Sequence, residues 1–426
     1  MAKNVEIEQT EIEAPYELPE GWKWATIGDC CEKAFSGKSP KYSKEITPYK
    51  IIGQQANQRY GIDLSFIKYG TKEFAEAQQD FYYLQYNDVL LNTLGTGSIG
   101  RSGIYKYDEK ILTDGHPFVF RTEKKYVADL LFYYLRLNEQ EIINTANGST
   151  NQKFLSLKSF LKFPIPYPPT LAEQQRIVNR IETMFAKLDQ AQEKAQAVLD
   201  SFETRKAAIL HKAFTGELTA NWRKENGVSD DSWEEKKIGD ICTVVRGGSP
   251  RPAGDSKYYD GSIPFMKVAD ITGNDSKYVY STEYTIKEAG LYKTRMVDAD
   301  TLLLTNSGAT LGVPAITKIK TTFNDGIAAF LNLPEESNLY FYYFWTSKTT
   351  ELRTINMGAA QPNLNIDIIS NIIAPVPTSP EQQEIVRILD TVLEKESRAK
   401  EAAQTVLDQI ALLKKSILAR AFRGEL

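Results

Sequence analysis

Two stretches of the chain, 171–218 and 379–426, carry apolar residues in a sustained 4,3 rhythm. In the first, Ile177, Ile181, Met184, Leu188, Ala191, Ala195, Val198 and Phe202 recur, Arg205 interrupts, and Ile209 resumes. In the second the series is Ile385, Leu389, Val392, Ala399, Ala403, Val406, Ile410, Leu413 and Ile417, with Glu396 as its interruption. A spacing near 3.5 held over this length predicts a coiled-coil seam on a long helix. Pro168, Pro169 and Thr170 supply a stop and a cap before the first helix, and Thr378, Ser379 and Pro380 before the second. From 171 to 213 such a helix is about 64 Å long at ~1.5 Å per residue. Two matched seams in one chain most simply bury each other. The small Ala191, Ala195, Ala399 and Ala403 in mid-seam would let the backbones approach closely.

The stretches before these helices, 18–170 and 227–379, have a different texture. Short β-favouring runs such as Tyr49-Lys-Ile51-Ile52 and Val89-Leu-Leu91 are broken by turn signals such as Gly37-Lys-Ser-Pro40 and Gly247-Gly-Ser-Pro250. They predict mixed α/β (α+β), strand-rich globular domains. The two halves also repeat. Trp22 through Ile27-Gly28-Asp29 recurs at Trp233 through Ile238-Gly239-Asp240, and Asp88-Val-Leu90-Leu91 at Asp300-Thr-Leu302-Leu303. Asp114-Gly115 recurs as Asp325-Gly326, Phe132-Tyr-Tyr134 as Phe341-Tyr-Tyr343, Gly148 as Gly358, and Pro164-Ile-Pro166 as Pro375-Val-Pro377. Glu173-Gln-Gln175 recurs as Glu381-Gln-Gln383, and Ala213-Phe-Thr-Gly-Glu-Leu218 as Ala421-Phe-Arg-Gly-Glu-Leu426. The pairs are 208 to 212 residues apart and keep their order, so the chain is a tandem duplication. The expected organisation is an acidic arm (1–17), a globular domain (18–170), a helix and linker (171–226), a second globular domain (227–379) and a closing helix (380–426).

Composition narrows the function classes. Hydrophobic residues make up 42% and charged residues 25%, ordinary values for a globular protein, and no run approaches the length that spans a bilayer. The N-terminus has no apolar core and predicts no leader. Three cysteines, Cys30, Cys31 and Cys242, make an odd number with two adjacent, which argues for reduced thiols and a cytoplasmic protein. His116 and His211 lie far apart in sequence, so a Cys/His metal site is poorly supplied and none is expected. The net charge of −4 conceals a local difference. Residues 21–170 hold 19 basic against 15 acidic side chains, and residues 227–379 hold 14 against 18. That is a weak footprint for a nucleic-acid binder, and it suggests that tight binding needs a more basic partner.

Gly95-Thr-Gly97-Ser-Ile-Gly100 fits a dinucleotide fingerprint, but Arg101-Ser-Gly103-Ile-Tyr-Lys-Tyr reads as turn and strand rather than the required helix. Its counterpart, Ser307-Gly308-Ala-Thr-Leu-Gly312, drops two glycines and keeps the context, as a shared tight loop would. No adenine-methyltransferase tetrapeptide, Walker A loop, zinc-type H-E-x-x-H or Gly-x-Ser-x-Gly occurs; Tyr167-Pro-Pro-Thr170 only opens a helix. The chain is expected to carry no catalytic residue. What it does carry is polar loop material at matched places. Lys38, Lys41 and Lys44 space three cations along a Gly/Pro loop, and Arg246, Arg251 and Lys257 occupy the equivalent segment, with Lys267 following. Gln55, Asn57 and Arg59 offer amides suited to adenine edges and a guanidinium suited to guanine, with Arg101 on the glycine-rich loop. Asn151 and Lys153, and in the second half Gln361 and Asn363, lie in further amide-rich loops. As a set they predict DNA-binding loops held on two scaffolds.

These residues carry a resemblance. Leu18-Pro-Glu-Gly-Trp22 with Ile27-Gly28-Asp29, Gly97-Ser-Ile-Gly100-Arg101, the Glu-Gln-Gln helix starts and the Ala-Phe-x-Gly-Glu-Leu helix ends resemble the DNA-specificity subunits of type I restriction–modification systems. The likeness covers nearly the whole chain after residue 17. The second half departs from it in lacking Leu-Pro-Glu-Gly and in holding Ala309 where the first half has Gly97. The resemblance implies two target-recognition domains that read a bipartite, asymmetric site on double-stranded DNA. It also implies a pseudo-two-fold frame whose helices pack as an antiparallel coiled coil, with Ile177, Ile181, Leu188, Val198 and Phe202 facing Ile385, Leu389, Val392, Val406 and Ile410. Two modification subunits would dock on the helices and bring S-adenosylmethionine, and two restriction subunits can join with ATP and Mg. This chain would bind no cofactor itself. A coiled-coil adaptor joining two proteins without touching DNA is the competing expectation.

Overall fold

The computed structural model describes residues 14–59, 61–95, 97–146, 154–274, 276–355 and 363–426. The chain divides into two compact units, one formed by Met1–Ala195 with Thr405–Leu426 and the other by Gln196–Gln404. The divisions fall inside the two long helices, Leu171–Phe214 and Ser379–Phe422, each of 44 residues. Each globular part therefore owns a segment of both helices.

In the first unit, Lys23–Thr26 pairs antiparallel with Pro164–Tyr167 and closes the start of the globular part onto its end. Such a two-stranded ribbon has edges that tolerate Pro164 and Pro166. A four-stranded antiparallel sheet runs in the order Cys31–Ser36, Pro117–Thr122, Val89–Asn92, Ser102–Ile104. Val89 and Leu91 face a core shared with the helix Ala128–Leu137 and with Ile177, Ile181 and Phe185 of the first long helix. Leu90 and Val119 face a second core with Ile52, Ile62 and Tyr105. Burial on both faces explains why the strand reads as a continuous apolar run. A three-stranded sheet, Lys68–Tyr69, Lys50–Ile52, Leu112–Thr113, pairs Ile51 in parallel with Leu112.

The second unit repeats this plan and adds a strand to each of the two larger sheets. Glu234–Lys237 pairs with Ile373–Val376. Five strands follow in the order Thr243–Arg246, Ile327–Leu331, Leu302–Thr305, Pro314–Thr317, Tyr278–Val279. Four more run Tyr284–Ile286, Tyr259–Met266, Thr321–Phe323, Arg295–Val297. Where the second unit has Arg295–Val297, the first has only a bridge from Tyr83 to Leu112. The duplication is thus structural, with one adjustment. Asp114 N donates to Ile52 O, and Asn324 N to Met266 O. Asp114 therefore corresponds to Asn324, one place before the Asp325 that the sequence aligns with it.

The helix starts explain Glu-Gln-Gln. Gln174 Nε2 donates to Pro168 O at 3.2 Å and its Oε1 accepts from Val127 N at 2.8 Å. Gln382 Nε2 donates to Pro377 O at 2.9 Å. Thr170 caps as expected, its hydroxyl accepting from Glu173 N at 3.2 Å. In the second unit Glu381 is fully buried and pairs with Arg223 at 2.6 Å, while Thr219 donates to the same carboxylate oxygen.

Within each unit the long helices pair antiparallel. In the second, Lys400 Nζ lies 4.5 Å from the Phe202 ring and Arg205 Nε lies 2.8 Å from Glu396 Oε2, so numbering falls on one helix as it rises on the other. The two residues that interrupt the sequence pattern are each other's partners. In the first unit Lys414 pairs with Asp189 and lies 5.6 Å from the Phe185 ring. Ile177, Ile181, Ile385, Leu389 and Ile410 are buried, and Leu188, Val198, Phe202 and Val392 are half-buried. Val406 is a correction: it is 38% exposed, and the half-buried Leu407 takes its place. The seam slips by one residue after Ala403 and continues through Ile410 and the half-buried stem of Lys414, because a 3.5 repeat drifts on a 3.6-residue helix. Ala195 and Ala403 are buried as expected, and Ala399 is exposed.

Candidate nucleic-acid interface

In the first unit four loops meet at one end of the sheets. They follow Cys31–Ser36, Lys50–Ile52 and Val89–Asn92, and precede Pro117–Thr122. The meeting is close. A Cβ on Gly37 would fall 2.0 Å from the backbone Thr113 O, so only glycine fits there, and one on Gly53 would fall 2.2 Å from Asp114 Oδ2 and displace that carboxylate. Asn92 Nδ2 donates to Gln54 O at 3.1 Å, and the Thr93 hydroxyl donates to His116 O. Asp114 accepts from His116 N at 3.0 Å. The glycine-rich loop is followed by the strand Ser102–Ile104, not by a helix.

The sequence-predicted residues divide in this frame. Lys38, Lys41 and Lys44 are exposed on the first loop, and Lys38 Nζ sits 5.5 Å from the Tyr82 ring centroid. Gln55 is exposed, and so is Arg59, which lies 3.3 Å from Glu139. Asn57 is a correction. It is fully buried, and its amide donates to Arg101 O at 2.9 Å and Asn92 Oδ1 at 3.2 Å. It shapes the loops from beneath, where it cannot meet a base. Arg101 is half-buried and donates to Gly97 O at 2.9 Å and Asn57 O at 3.3 Å, bracing the glycine-rich loop. Asn151 and Lys153 lie outside the described residues. Gln54 and Gln58 belong to the same amide-rich run as Gln55 in the sequence, whereas nothing in the sequence singled out Lys68. Gln58 lies 3.4 Å from Arg101, and Lys68 Nζ is 5.1 Å from the exposed Tyr42 ring.

The same loops meet in the second unit. Arg246 Nε donates to Asp325 O at 2.6 Å and Ser249 Oγ to Asp325 Oδ1 at 2.7 Å. Asn306 N donates to Gly326 O at 2.9 Å, and Leu364 N to Asn306 O at 2.8 Å. The positive-φ glycine missing at Ala309 is replaced one place earlier: Gly308 takes φ +82° against +86° at Gly97. A cavity of about 260 Å³ opens among Arg251, Lys267, Tyr284, Asn324 and Asp325. Lys267 Nζ stands 3.0 Å from the Tyr284 ring centroid, and the buried Asn324 Oδ1 has no hydrogen-bond partner among the described residues. Arg251 and Lys257 are exposed, and Lys257 lies 5.3 Å from the Tyr258 ring. A hydrogen bond from Tyr292 and the Lys257 ammonium hold the Tyr258 hydroxyl below its ordinary range. Asn363 is exposed, and Gln361 lies outside the described residues.

Among the described residues no group of three or more His, Cys, Asp and Glu could hold a metal ion, and no helix is long and apolar enough to cross a membrane. Cys30, Cys31 and Cys242 are free thiols; burial pushes Cys31 up to about 12 and Cys242 up to about 11.

The loop clusters are the frame in which similarity to known proteins has meaning. The family model described as type I restriction modification DNA specificity domain matches twice, over residues 19–199 and 230–406. The EcoBI specificity subunit of Escherichia coli is 27% identical over 314 residues, covering 69% of this chain and 65% of that one. The MjaIX specificity subunit of Methanocaldococcus jannaschii is 31% identical over 190 residues, covering 42% of each. These matches thus span less than two thirds of either relative's length. An HsdS subunit crystal structure from Thermoanaerobacter tengcongensis covers 97% of this chain and 100% of its own, with a TM-score of 0.67 at 20% identity, a likeness of fold. The family model accounts for most of the sequence and falls once on each half of the repeat, so the chain belongs to the type I restriction modification DNA specificity family.

Proposed function

We propose that this chain is the DNA-specificity subunit of a type I restriction–modification complex. Residues 18–170 and 227–379 act as two recognition domains, each reading one part of a bipartite, asymmetric site on double-stranded DNA. The observation that carries this reading is the repeated loop cluster. In each unit the same strand-end loops converge, carry exposed cations and amides, and differ in side chain from one unit to the other. Two scaffolds alike and two surfaces unlike are what an asymmetric site in two parts requires.

The exposed Lys38, Lys41, Lys44, Gln55 and Arg59 would contact DNA in the first unit, and Arg251, Lys257, Lys267 and Asn363 in the second. Asn57 and Arg101 position the loops. Modification subunits, two in the reading given above, would dock on the paired helices and supply S-adenosylmethionine and the methyl transfer. Restriction subunits would add ATP- and Mg-dependent steps. This chain acts without catalysis of its own, in the cytoplasm.

The test is adenine-methylation mapping of a genome in a host that carries this chain with its modification subunit. A single two-part sequence should be methylated, and deletion of the chain should abolish it. Methylation that persists unchanged after the deletion would favour a protein–protein adaptor instead.

A further inference from the structure

The described cations of the second unit include paired and unpaired side chains. Lys236, Lys277, Lys318, Lys320 and Lys348 each pair with a carboxylate. Lys257, Lys287, Lys293 and Arg295 have no carboxylate partner among the described residues, and they gather at one turn. Lys287 Nζ donates to Ser256 O at 2.7 Å. Lys257 Nζ lies 5.3 Å from the Tyr258 ring and Lys293 Nζ 5.4 Å from the Tyr292 ring, and the two rings are 6.1 Å apart. Arg295 Nε donates to Arg246 O at 3.0 Å.

This turn, Glu288–Lys293, continues the loop cluster. A Cβ on Gly248 would fall 1.9 Å from Lys293 O, so the Gly247–Gly248 loop lies directly against it. Tyr292 is 64% exposed and offers both a ring and a hydroxyl to solvent. In the first unit the corresponding segment, between Lys68–Tyr69 and the Tyr83 bridge, carries neutralised charge instead. There Lys72 pairs with Glu76 at 3.8 Å and Asp80 with Lys110 at 3.4 Å.

We propose that Lys257, Lys287, Lys293 and Arg295 form a rim that grips the phosphates of duplex DNA beside the base-reading loops of the second unit. The proposal rests on the reading of the chain as a specificity subunit, and it assigns Lys257, already among its DNA contacts, to the backbone together with Lys287, Lys293 and Arg295. Cations without a protein counter-charge exchange only water and small ions when they meet a phosphate, and the released counterions drive binding. The tyrosine rings hold the ammonium groups near fixed positions, and the Tyr258 hydroxyl, which accepts from Tyr292, is a further donor to a phosphate oxygen. Such contacts set register and affinity and carry no sequence code. The rim also resolves an electrostatic difficulty. Residues 227–379 are acidic overall, yet the field felt by a phosphate is that of charges within about 8–10 Å at physiological salt.

The test uses the full chain assembled with its modification subunit, wild type and K257A/K293A, titrated with a cognate and a scrambled duplex across a salt series. Both lysines are exposed, so the melting temperature should stay unchanged and serve as the folding control. The expected result is weaker binding to both duplexes by a similar factor. The slope of log affinity against log salt should shrink by about 2, near 0.9 per lost contact, with the methylated sequence unaltered. K257E/K293E should deepen the loss. An unchanged slope, or a loss confined to the cognate duplex, would overturn the rim while leaving the functional reading in place. Wild-type complex that binds both duplexes alike and methylates neither would overturn the functional reading, and the rim with it.

Discussion

The two units share core layout, the order of their common strands and the glutamine brace at the helix starts, yet they distribute charge in different ways. The first is mildly basic, and its ion pairs range from the exposed Lys50–Glu109 and the one-turn Lys72–Glu76 to the buried Arg121–Asp88. The second is acidic in its globular part, yet among its described residues Lys257, Lys287, Lys293 and Arg295, beside the loops, have no carboxylate partner. The same contrast holds at the helix starts. Glu381 is fully buried and bound to Arg223 and Thr219, whereas its counterpart Glu173 lies on the surface with Arg176 at 2.7 Å, where the neighbouring guanidinium holds it below the usual carboxylate range. A duplicated frame can therefore keep its backbone while each copy finds its own polar solution. Backbone geometry depends on apolar spacing, whereas charge partners depend on single substitutions.

The sharpest way to test this contrast is to remove both carboxylates. Glu381→Ala removes one of the two carboxylates that hold Arg223, which is 8% exposed and keeps Asp230 at 2.9 Å, and should cost about 3 kcal/mol, the low end for a broken buried pair. Glu173→Ala should cost about 1 kcal/mol or less, the scale of an exposed pair at a helix start. Urea denaturation compares them, and equal losses would erase the distinction between the units.

The seam should show the opposite behaviour, likeness. Ile181→Ala and Leu389→Ala, each fully buried, should both destabilise by about 2–5 kcal/mol. Val406→Ala should change stability by about 0.5 kcal/mol or less, as a surface substitution. A large effect at Val406 would restore the register read from sequence and refute the slip after Ala403.

The smallest effect concerns the ion pairs across the helices. Arg205→Ala or Glu396→Ala should cost about 1 kcal/mol, since Arg205 remains 35% exposed and solvent screens the pair. The exchanged pair R205E/E396R should regain most of that loss. Asp189→Ala, at the 61% exposed contact with Lys414, should cost about half as much or less. Additive losses without recovery in the exchanged pair would show that Arg205 and Glu396 do not couple.

Much of this architecture is legible in the residues. The apolar rhythm of Ile177 to Phe202 and of Ile385 to Ile417 announces the helices, because burial of one face demands a fixed period. The strand after Gly100 is visible because no helical pattern follows. Arg205 and Glu396 stand out as interruptions, but nothing in the spacing says that one answers the other. Asn57 misled because a buried loop amide and an exposed one are the same residue in the same Gln-rich company. Asp114 aligned with Asp325 because identical Asp-Gly pairs outweigh a one-residue shift that only the ladder hydrogen bonds record.

Local and periodic features were therefore within reach of the chain as written: the duplication, the two long helices, the Thr170 cap of the first and the class of the globular parts. Each depends on neighbours a few residues apart, and periodicity averages over many positions. The placement of individual polar groups was not. Lys257, Lys287, Lys293 and Arg295 are scattered along the sequence and become one surface only when the strands bring their turns together. Whether a cation meets a carboxylate, a ring or open solvent is a property of that assembled neighbourhood, because electrostatic partners are chosen by distance in space.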